Sequence, residues 1–405
     1  MSSSRKRNVW LRILCLSVCV VFLFVGVAFA AEDQKSKEAT PPAEKKADDA
    51  KKTDPFVVPD GTPEELFAYL KSLNTLKPEG NDQATLIKFF KKIFGAQMEA
   101  CEKILASNAP ADKKKTAAIV LFRASQQLAK GFAKGFADSK AIDTITRVPK
   151  IAQELNFPQL EQAANALLIE MNIKRAEEKV SGAPSLAEVL DQLKSMVEKN
   201  PDGASLNLVI TAVASLYRNN DETIKLCDWA TKVFGDSKNE KVLERLKYIE
   251  GTTRRLNLVG KEVTIKGKTL DGKPYDLADQ KGKVVLVQFW ATWCGPCLKE
   301  LPNVEKSYKL YHDRGFEIVG VSIDHDKAKL DEFLKNQPLP WPIISDSEEA
   351  NLNAKYYGVL NIPQLILVDK QGKAVSISAR GPELDKELEK LLGPVEKKAA
   401  DAAKK

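Results

Sequence analysis

The sequence predicts a multidomain protein in which an all-α region precedes an α/β region with a mixed central sheet. Three observations support this. The 405 residues exceed what one hydrophobic core normally organises. Between residues 62 and 257, apolar side chains recur at spacings of three and four, which is the helical period. From residue 258, short β-branched runs alternate with helical segments and end in a hairpin, which is typical of a sheet covered on both faces.

The first 30 residues have the composition of an export signal. Four basic residues precede the apolar run Ile13 to Phe29, and Ala28-Phe29-Ala30 provides a small-x-small cleavage site. We therefore expect a cleaved signal peptide at residues 1–30. The alternative is an uncleaved anchor through residues 10–31, since about 19 apolar residues nearly span a bilayer. Either alternative exports the rest of the chain, to the periplasm or the outer face of the cytoplasmic membrane.

Two segments have a composition typical of disorder. Residues 31–61 and 394–405 are rich in Lys, Glu, Asp and Ala, with few large apolar side chains to offset ordering entropy. They are predicted to be a linker and a tail. The whole chain has a net charge of +7, and the leader contributes four of these positive charges. So balanced a surface gives no support to nucleic-acid binding.

The helical domain is predicted to span residues 62–257. Thr62 is predicted to be a helix N-cap, because Pro63 and two acidic residues follow it, as is typical of a first helical turn. About eight or nine helices follow, with no clustered His, paired carboxylates or Gly-rich phosphate loop. Recognition of a partner or substrate is the expected role, and a spacer or dimerisation role is the alternative.

Two cysteines lie where a buried strand gives way to a helix. The strand Val284–Trp290 leads into Cys294 and, three residues on, Cys297. A thiol at a helix N-terminus meets unpaired N–H groups and the positive end of the helix dipole, which stabilise its thiolate. Cys294 is therefore the predicted nucleophile, and Cys297 is placed to form a redox-active disulfide with it.

The remaining cysteines of the exported chain are expected to be inert. Cys101 and Cys227 each share a helical face with apolar residues, and free cysteines commonly pack as small hydrophobes. A structural disulfide between them is the alternative, which spacing leaves open.

Residues 258–393 carry a set of motifs in a characteristic order: Gly282-Lys283-Val284-Val285-Leu286-Val287, Phe289-Trp290-Ala291-Thr292-Trp293-Cys294-Gly295-Pro296-Cys297, Glu300, Pro302, Tyr357-Gly358-Val359, Ile362-Pro363 and Leu365-Ile366-Leu367-Val368-Asp369. In these motifs the region resembles the extracytoplasmic thioredoxin-like thiol–disulfide oxidoreductases of the TlpA/ResA type. The resemblance covers about a third of the chain, and the helical domain lies outside it.

The resemblance implies roles for further residues. Pro363 would be a cis-proline facing the dithiol, and the backbone of Ile362 would dock the client's cysteine segment as an extra strand. Trp293, together with Gly295 and Pro296 between the cysteines, would contact the client. Glu300 would move protons as the disulfide is attacked; the alternative is an ordinary solvated acid on the helix.

The sequence departs from the thioredoxin pattern at two positions. Gln288 stands where cytoplasmic thioredoxins carry a buried Asp, so that route of proton transfer is absent and Glu300 becomes the expected base. Gln364 replaces the usual Thr after the proline, which alters client contacts.

The sequence around the cysteine pair does not match three other kinds of cysteine site, those of peroxiredoxins, c-type haem and zinc. A peroxiredoxin would need Pro and Thr where Val287 and Ala291 stand, and a c-type haem site would need His in place of Leu298. A zinc site lacks ligands, since the chain holds only His312 and His325. No metal and no cofactor are expected.

The sequence thus predicts an exported enzyme that reduces protein disulfides through Cys294 and Cys297. Its partners would be disulfide-containing client proteins and a membrane electron donor that restores the dithiol. The alternative is a scaffold in which the helical domain recognises clients and the thioredoxin-like module docks them.

Overall fold

The computed structural model describes residues 54–131, 138–216, 219–345 and 347–394. The predicted signal peptide, most of the predicted linker and the tail after residue 394 lie outside the described residues. The chain divides into two compact units, residues 1–189 and 190–405, so the segment predicted as one helical domain is shared between them. Within the described ranges, no helix has the length and apolarity to span a membrane.

The first unit is helical. Thr62 is the N-cap of its first helix, as the sequence predicted. The Glu65 side chain also accepts a hydrogen bond from the Thr62 backbone N–H, which completes a capping box. In residues 54–61, the described part of the predicted linker, Phe56 packs against this unit and Val58 is buried in its core, whereas Val57 is exposed. The helices are α1 Pro63–Leu73, α2 Gln83–Ala106, α3 Ala111–Gly131, α4 Ser139–Glu154 and α5 Pro158–Glu177; α6 Leu186–Lys199 begins in this unit and continues into the next.

Three further helices open the second unit: α7 Gly203–Ser215, α8 Asn220–Phe234 and α9 Glu240–Leu256. Asp202, Asn219 and Asn239 cap them, each accepting a hydrogen bond from a backbone N–H of the first turn. The three helices pack against one another. Cys227 on α8 is buried and free; Cys101 of the first unit is also buried and free.

A five-stranded mixed sheet forms the centre of the second unit. The strands of the unit are β1 Lys266–Lys268, β2 Pro274–Asp276, β3 Val284–Trp290, β4 Phe316–Ser322, β5 Ile343–Ile344, β6 Gln364–Val368 and β7 Ala374–Ser376. The order in the sheet is β5-β4-β3-β6-β7, with β3 parallel to β4 and antiparallel to β6. A separate antiparallel pair, β1 and β2, precedes the sheet in the chain. The predicted fold class, a helical region followed by a thioredoxin-like α/β domain, is confirmed.

Both faces of the sheet are covered, which is why every residue of β3 is buried. Leu286 and Trp290 face one core, while Val285 and Phe289 face the other. The helices of this part are α10 Gly295–Tyr311, α11 Lys327–Asn336, α12 Ser347–Tyr356 and α13 Pro382–Leu392. Helix α10 starts at the carboxyl end of β3 and therefore carries the cysteine pair at its N-terminus.

The backbone of helix α9 packs directly against the backbone of the turn after α12. A Cβ on Gly251 would lie 2.4 Å from both Gly358 N and Lys355 O, so only glycine fits there. Next to it, Thr252 Oγ1 donates to Gly358 O at 3.1 Å. Arg255 Nε donates to Tyr357 O at 2.9 Å. These contacts join α9 directly to the α/β fold.

Candidate redox-active site

The two cysteines form a disulfide at the start of α10. Cys294 is the N-cap residue, and its sulfur accepts a hydrogen bond from the backbone N–H of Cys297 at 3.1 Å. Cys294 retains 5% exposure as a residue, whereas Cys297 is fully buried. Cys294 is therefore the more accessible cysteine of the pair, and its sulfur lies at the positive end of the helix dipole.

A cis peptide bond joins Ile362 and Pro363 opposite the disulfide. The Ile362 carbonyl oxygen lies 3.7 Å from Cys294 Sγ. Around these atoms, Trp293 is 63% exposed, and Gly295 and Pro296 are exposed in the first turn of α10. The structure thus brings the predicted client-binding residues Trp293, Gly295, Pro296, Ile362 and Pro363 together around the Cys294 sulfur.

Asp324 holds the loop before the cysteines and was missed in the sequence. Its carboxylate accepts hydrogen bonds from Thr292 N at 3.0 Å and from Thr292 Oγ1 at 2.6 Å. Ser322 Oγ also donates to it, at 2.8 Å. Asp324 is two residues beyond the end of β4, and β4 runs parallel to β3. The carboxyl ends of parallel neighbours meet at one edge, and that signal could have suggested the contact.

Glu300 connects α10 to the loop before α13. Its Oε1 accepts from Gly381 N at 2.9 Å and from Asn303 Nδ2 at 3.1 Å. The neighbouring Arg380 donates to the carbonyl of Pro363. Burial lowers the pKa of Arg380, and the negative charge of Glu300 opposes that shift. Glu300 is half-buried and bonded, so it differs from a solvated acid on the helix surface.

Gln288 is fully buried in the middle of β3. Neither its amide nitrogen nor its amide oxygen has a hydrogen-bond partner among the described residues. Its neighbours two residues away on the same strand face, Leu286 and Trp290, belong to the core that includes Cys297. A side chain that cannot titrate therefore occupies the core beneath the disulfide.

Gln364, directly after the cis-proline, connects the site to α9. Its amide nitrogen donates to Ile377 O, and its Oε1 accepts from Arg255 Nη1 at 3.2 Å. Arg255, on α9, was missed in the sequence because nothing local marks an exposed-looking helical arginine as a partner of a residue more than 100 positions away.

No group of three His, Cys, Asp or Glu side chains in the described ranges is arranged to hold a metal ion. His312 Nδ1 lies 3.3 Å from Phe316 O, and His325 is exposed beside Asp324. Among the described residues, neither histidine forms a hydrogen bond or an ion pair with Cys294 or Cys297.

A central strand leads into a helix that begins with Cys-Gly-Pro-Cys, and a cis-proline directly before an antiparallel strand lies opposite the cysteines. This arrangement defines the class of thioredoxin-like dithiol proteins. Comparison with known proteins narrows this class. The model of the Redoxin family matches residues 258–392. The thiol-disulfide oxidoreductase ResA of Bacillus thuringiensis subsp. konkukian is 36% identical over 123 residues, which are 30% of this chain and 69% of that protein.

Two further relatives show a similar degree of identity. ResA of Geobacillus thermodenitrificans is 38% identical over 108 residues, which are 27% of this chain and 61% of that protein. ResA of Bacillus subtilis is 36% identical over 107 residues, which are 26% of this chain and 59% of that protein. The chain thus spans about 60–70% of the length of these curated relatives. Through residues 258–392 the chain belongs to the redoxin family of ResA-type thioredoxin-like proteins.

Solved structures also match this part of the chain. The thioredoxin domain of a thiol-disulfide oxidoreductase from Bacteroides vulgatus is 33% identical and covers 33% of this chain and 97% of its own, with a TM-score of 0.32. A putative thiol:disulfide interchange protein DsbE from Chlorobium tepidum is 27% identical and covers 35% of this chain and 94% of its own, with a TM-score of 0.29.

Proposed function

We propose that this protein is an exported thiol–disulfide oxidoreductase that reduces disulfide bonds in client proteins. One observation carries the proposal: the sulfur of Cys294, the more accessible cysteine of the pair, lies at a helix N-terminus and 3.7 Å from the carbonyl oxygen of Ile362, which precedes a cis-proline. This arrangement pairs a reactive sulfur with a backbone edge that can hold an extended peptide.

The catalytic cycle is an exchange of two electrons between dithiol and disulfide. The thiolate of reduced Cys294 attacks one sulfur of the client disulfide, and the other client sulfur leaves as a thiolate that takes up a proton. The Cys297 thiol then loses its proton and attacks Cys294 Sγ. The second client thiolate is released, and the Cys294–Cys297 disulfide forms. A membrane electron donor returns two electrons and two protons to this disulfide.

Backbone groups and neighbouring side chains position the client. Ile362 and Pro363 offer an extended edge beside Cys294 Sγ. Trp293 offers exposed apolar surface to the client, and Gly295 and Pro296 are exposed beside Cys294, where the client can contact them. We assign the proton transfer at Cys297 to Glu300, which lies one helical turn away on α10 and is half-buried.

Two further parts of the proposal rest on the sequence. The basic and apolar leader of residues 1–30 supports export, with cleavage after Ala30 or retention as an anchor. The Gly-Pro dipeptide between the cysteines supports a reducing potential, near the thioredoxin value of about −270 mV rather than the DsbA value of about −120 mV.

The test is reduction of insulin by the full chain, with dithiothreitol as electron source. We expect Cys294→Ser to abolish the accelerated precipitation of insulin and Cys297→Ser to trap mixed disulfides instead of completing turnover. Cys227→Ser, which changes a buried free thiol, is the matched control and should keep the activity. Equal activity in the wild type and both active-site variants would refute the proposal.

A further inference from the structure

A cavity lies beside the cis-proline within the 190–405 unit. It has a volume of about 470 Å³, and its walls come from α7, α8 and α9 on one side and from the segments around β6 and β7 on the other. The lining includes Leu216, Thr252, Arg255, Ile362, Gln364 and Arg380. The helical walls lie outside the redoxin match, so this cavity is a feature of this chain rather than of the matched region.

The cavity has a positive wall. Arg255 is partly buried, and its hydrogen bonds to described residues all go to neutral oxygens, those of Tyr357, Gly358 and Gln364. Burial lowers the pKa of Arg255 to about 10, so the guanidinium still carries its charge at neutral pH. The nearby thiol of Cys227 stays neutral there, because burial raises its pKa to about 11.

No Asp or Glu is among the described residues that line the cavity. Arg380 adds a second guanidinium, and Glu300 is the acid that interacts with it. Among the described residues, the cavity therefore holds one partly buried cation without a carboxylate partner, Arg255, and a second cation, Arg380, that interacts with Glu300. A buried charge of this kind is costly unless an opposite charge approaches it.

We propose that this cavity binds an acidic side chain of the client, close in sequence to the cysteine that reacts with Cys294. The inference rests on the proposed function and specifies its client class. Ile362 belongs to both places: its carbonyl lies 3.7 Å from Cys294 Sγ, and the residue itself lines the cavity. A client strand docked at Ile362 advances about 3.3 Å per residue, so a side chain one or two positions from its cysteine reaches the cavity.

The chemistry of the walls fits a carboxylate on a short aliphatic stem. Arginine binds a carboxylate with two parallel N–H···O bonds, which gives direction as well as charge. Leu216, Leu256, Leu360 and Ile377 supply apolar wall for the methylene groups. A basic client side chain would instead add a third cation beside Arg255 and Arg380.

The test uses three disulfide-linked reporter peptides that differ only two residues from the reactive cysteine, where they carry Glu, Gln or Lys. With the full chain we expect kcat/KM to be about tenfold higher for the Glu peptide than for the Gln peptide, which corresponds to one charge-assisted contact. The Lys peptide should react more slowly than both. Equal rates for the three peptides would overturn the inference while leaving the proposed function intact; failure to reduce any peptide would overturn the proposed function.

Variants locate the effect. In Arg255→Gln the ratio of Glu to Gln peptide rates should fall to near one, and Arg255→Lys should keep part of the preference. Since Arg255 also supports the packing of α9, a second variant leaves it in place: Ser378→Glu adds a carboxylate to the exposed rim of the cavity and should lower the same ratio. Gln371→Glu adds the same charge to an exposed turn outside the cavity and is the matched control. An unchanged ratio in both Arg255→Gln and Ser378→Glu would refute the assignment.

Discussion

Gly251→Ala should destabilise the α/β unit although alanine is the better helix former. The new Cβ would lie 2.4 Å from Gly358 N and Lys355 O, about 1 Å closer than an ordinary contact of 3.4 Å. Helix α9 must therefore move away, which breaks the bonds from Thr252 to Gly358 and from Arg255 to Tyr357. A neutral bond contributes about 1 kcal/mol and a charged one about 2 kcal/mol. The gain in helix propensity returns about 1 kcal/mol, so we expect a net loss of about 2 kcal/mol or more.

Tryptophan fluorescence during urea denaturation measures this loss selectively. All four tryptophans in the described part of the chain, Trp229, Trp290, Trp293 and Trp341, lie in the 190–405 unit. With a urea dependence of about 2 kcal/mol per M, the midpoint should fall by about 1 M.

Gly95→Ala is the matched control, because Gly95 is also inside a helix and a Cβ there would have no neighbour within 4 Å. That change should leave the tryptophan transition where it is. An unshifted transition in Gly251→Ala would refute the close packing of α9 on the turn at Gly358.

Two further predictions concern the loop before the disulfide and the free thiols. Asp324→Asn replaces one acceptor oxygen by an amide NH2 group, which is itself a donor and cannot accept the hydrogen bonds from Thr292. We therefore expect insulin reduction to slow and the free energy of unfolding in urea to fall by about 2 kcal/mol. Unchanged stability and rate would contradict the role of this carboxylate. Cys101 and Cys227 should resist iodoacetamide at pH 8 in the folded, reduced chain and react once it is unfolded, because burial raises the pKa of both thiols. The pKa of an unfolded cysteine thiol is about 8.5, whereas burial raises the pKa of Cys227 in the folded chain to about 11. Between these two pH values the folded state keeps the thiol proton that the unfolded state has lost. The free energy of unfolding therefore falls as the pH rises through this range. Compared with Cys227→Ala, the native chain should lose about 1 kcal/mol more between pH 7.5 and 9.5; equal losses would contradict it.

The sequence was informative wherever the signal is local. The buried run of β3 and the two cysteines after it define a strand, a turn and a helix N-terminus within about fifteen residues. The cysteines were therefore predicted to form the disulfide that the structure contains. The cis bond at Pro363 was anticipated through the resemblance, and the peptide bond is cis. The roles assigned to these residues stay predictions until the variants are measured.

Contacts between distant segments were not predictable. The helical period of α9 shows which face is apolar, but not which part of the chain covers it. Arg255 meets Gln364 and Tyr357 more than 100 residues away, and no local pattern specifies such a pair. Gly251 in the middle of a helix was the one available hint, since glycine there costs stability unless a close approach needs it. Asp324 similarly depends on the register of β4 against β3.

The packing of α9 also affects where this protein can be cut for study. The redoxin match begins at residue 258, one residue beyond the Asn257 cap of α9. A fragment designed on that border would discard Arg255 and leave the carbonyls of Tyr357 and Gly358, and the amide of Gln364, without the guanidinium that binds them. The fragment would also lack Gly251, and the backbone at Gly358, against which Gly251 packs, would be exposed to solvent. The similarity border and the folding border of this module therefore differ. An expression fragment that behaves like the native module should start near residue 185, ahead of α6, so that this helix, which continues into the 190–405 unit, is kept whole.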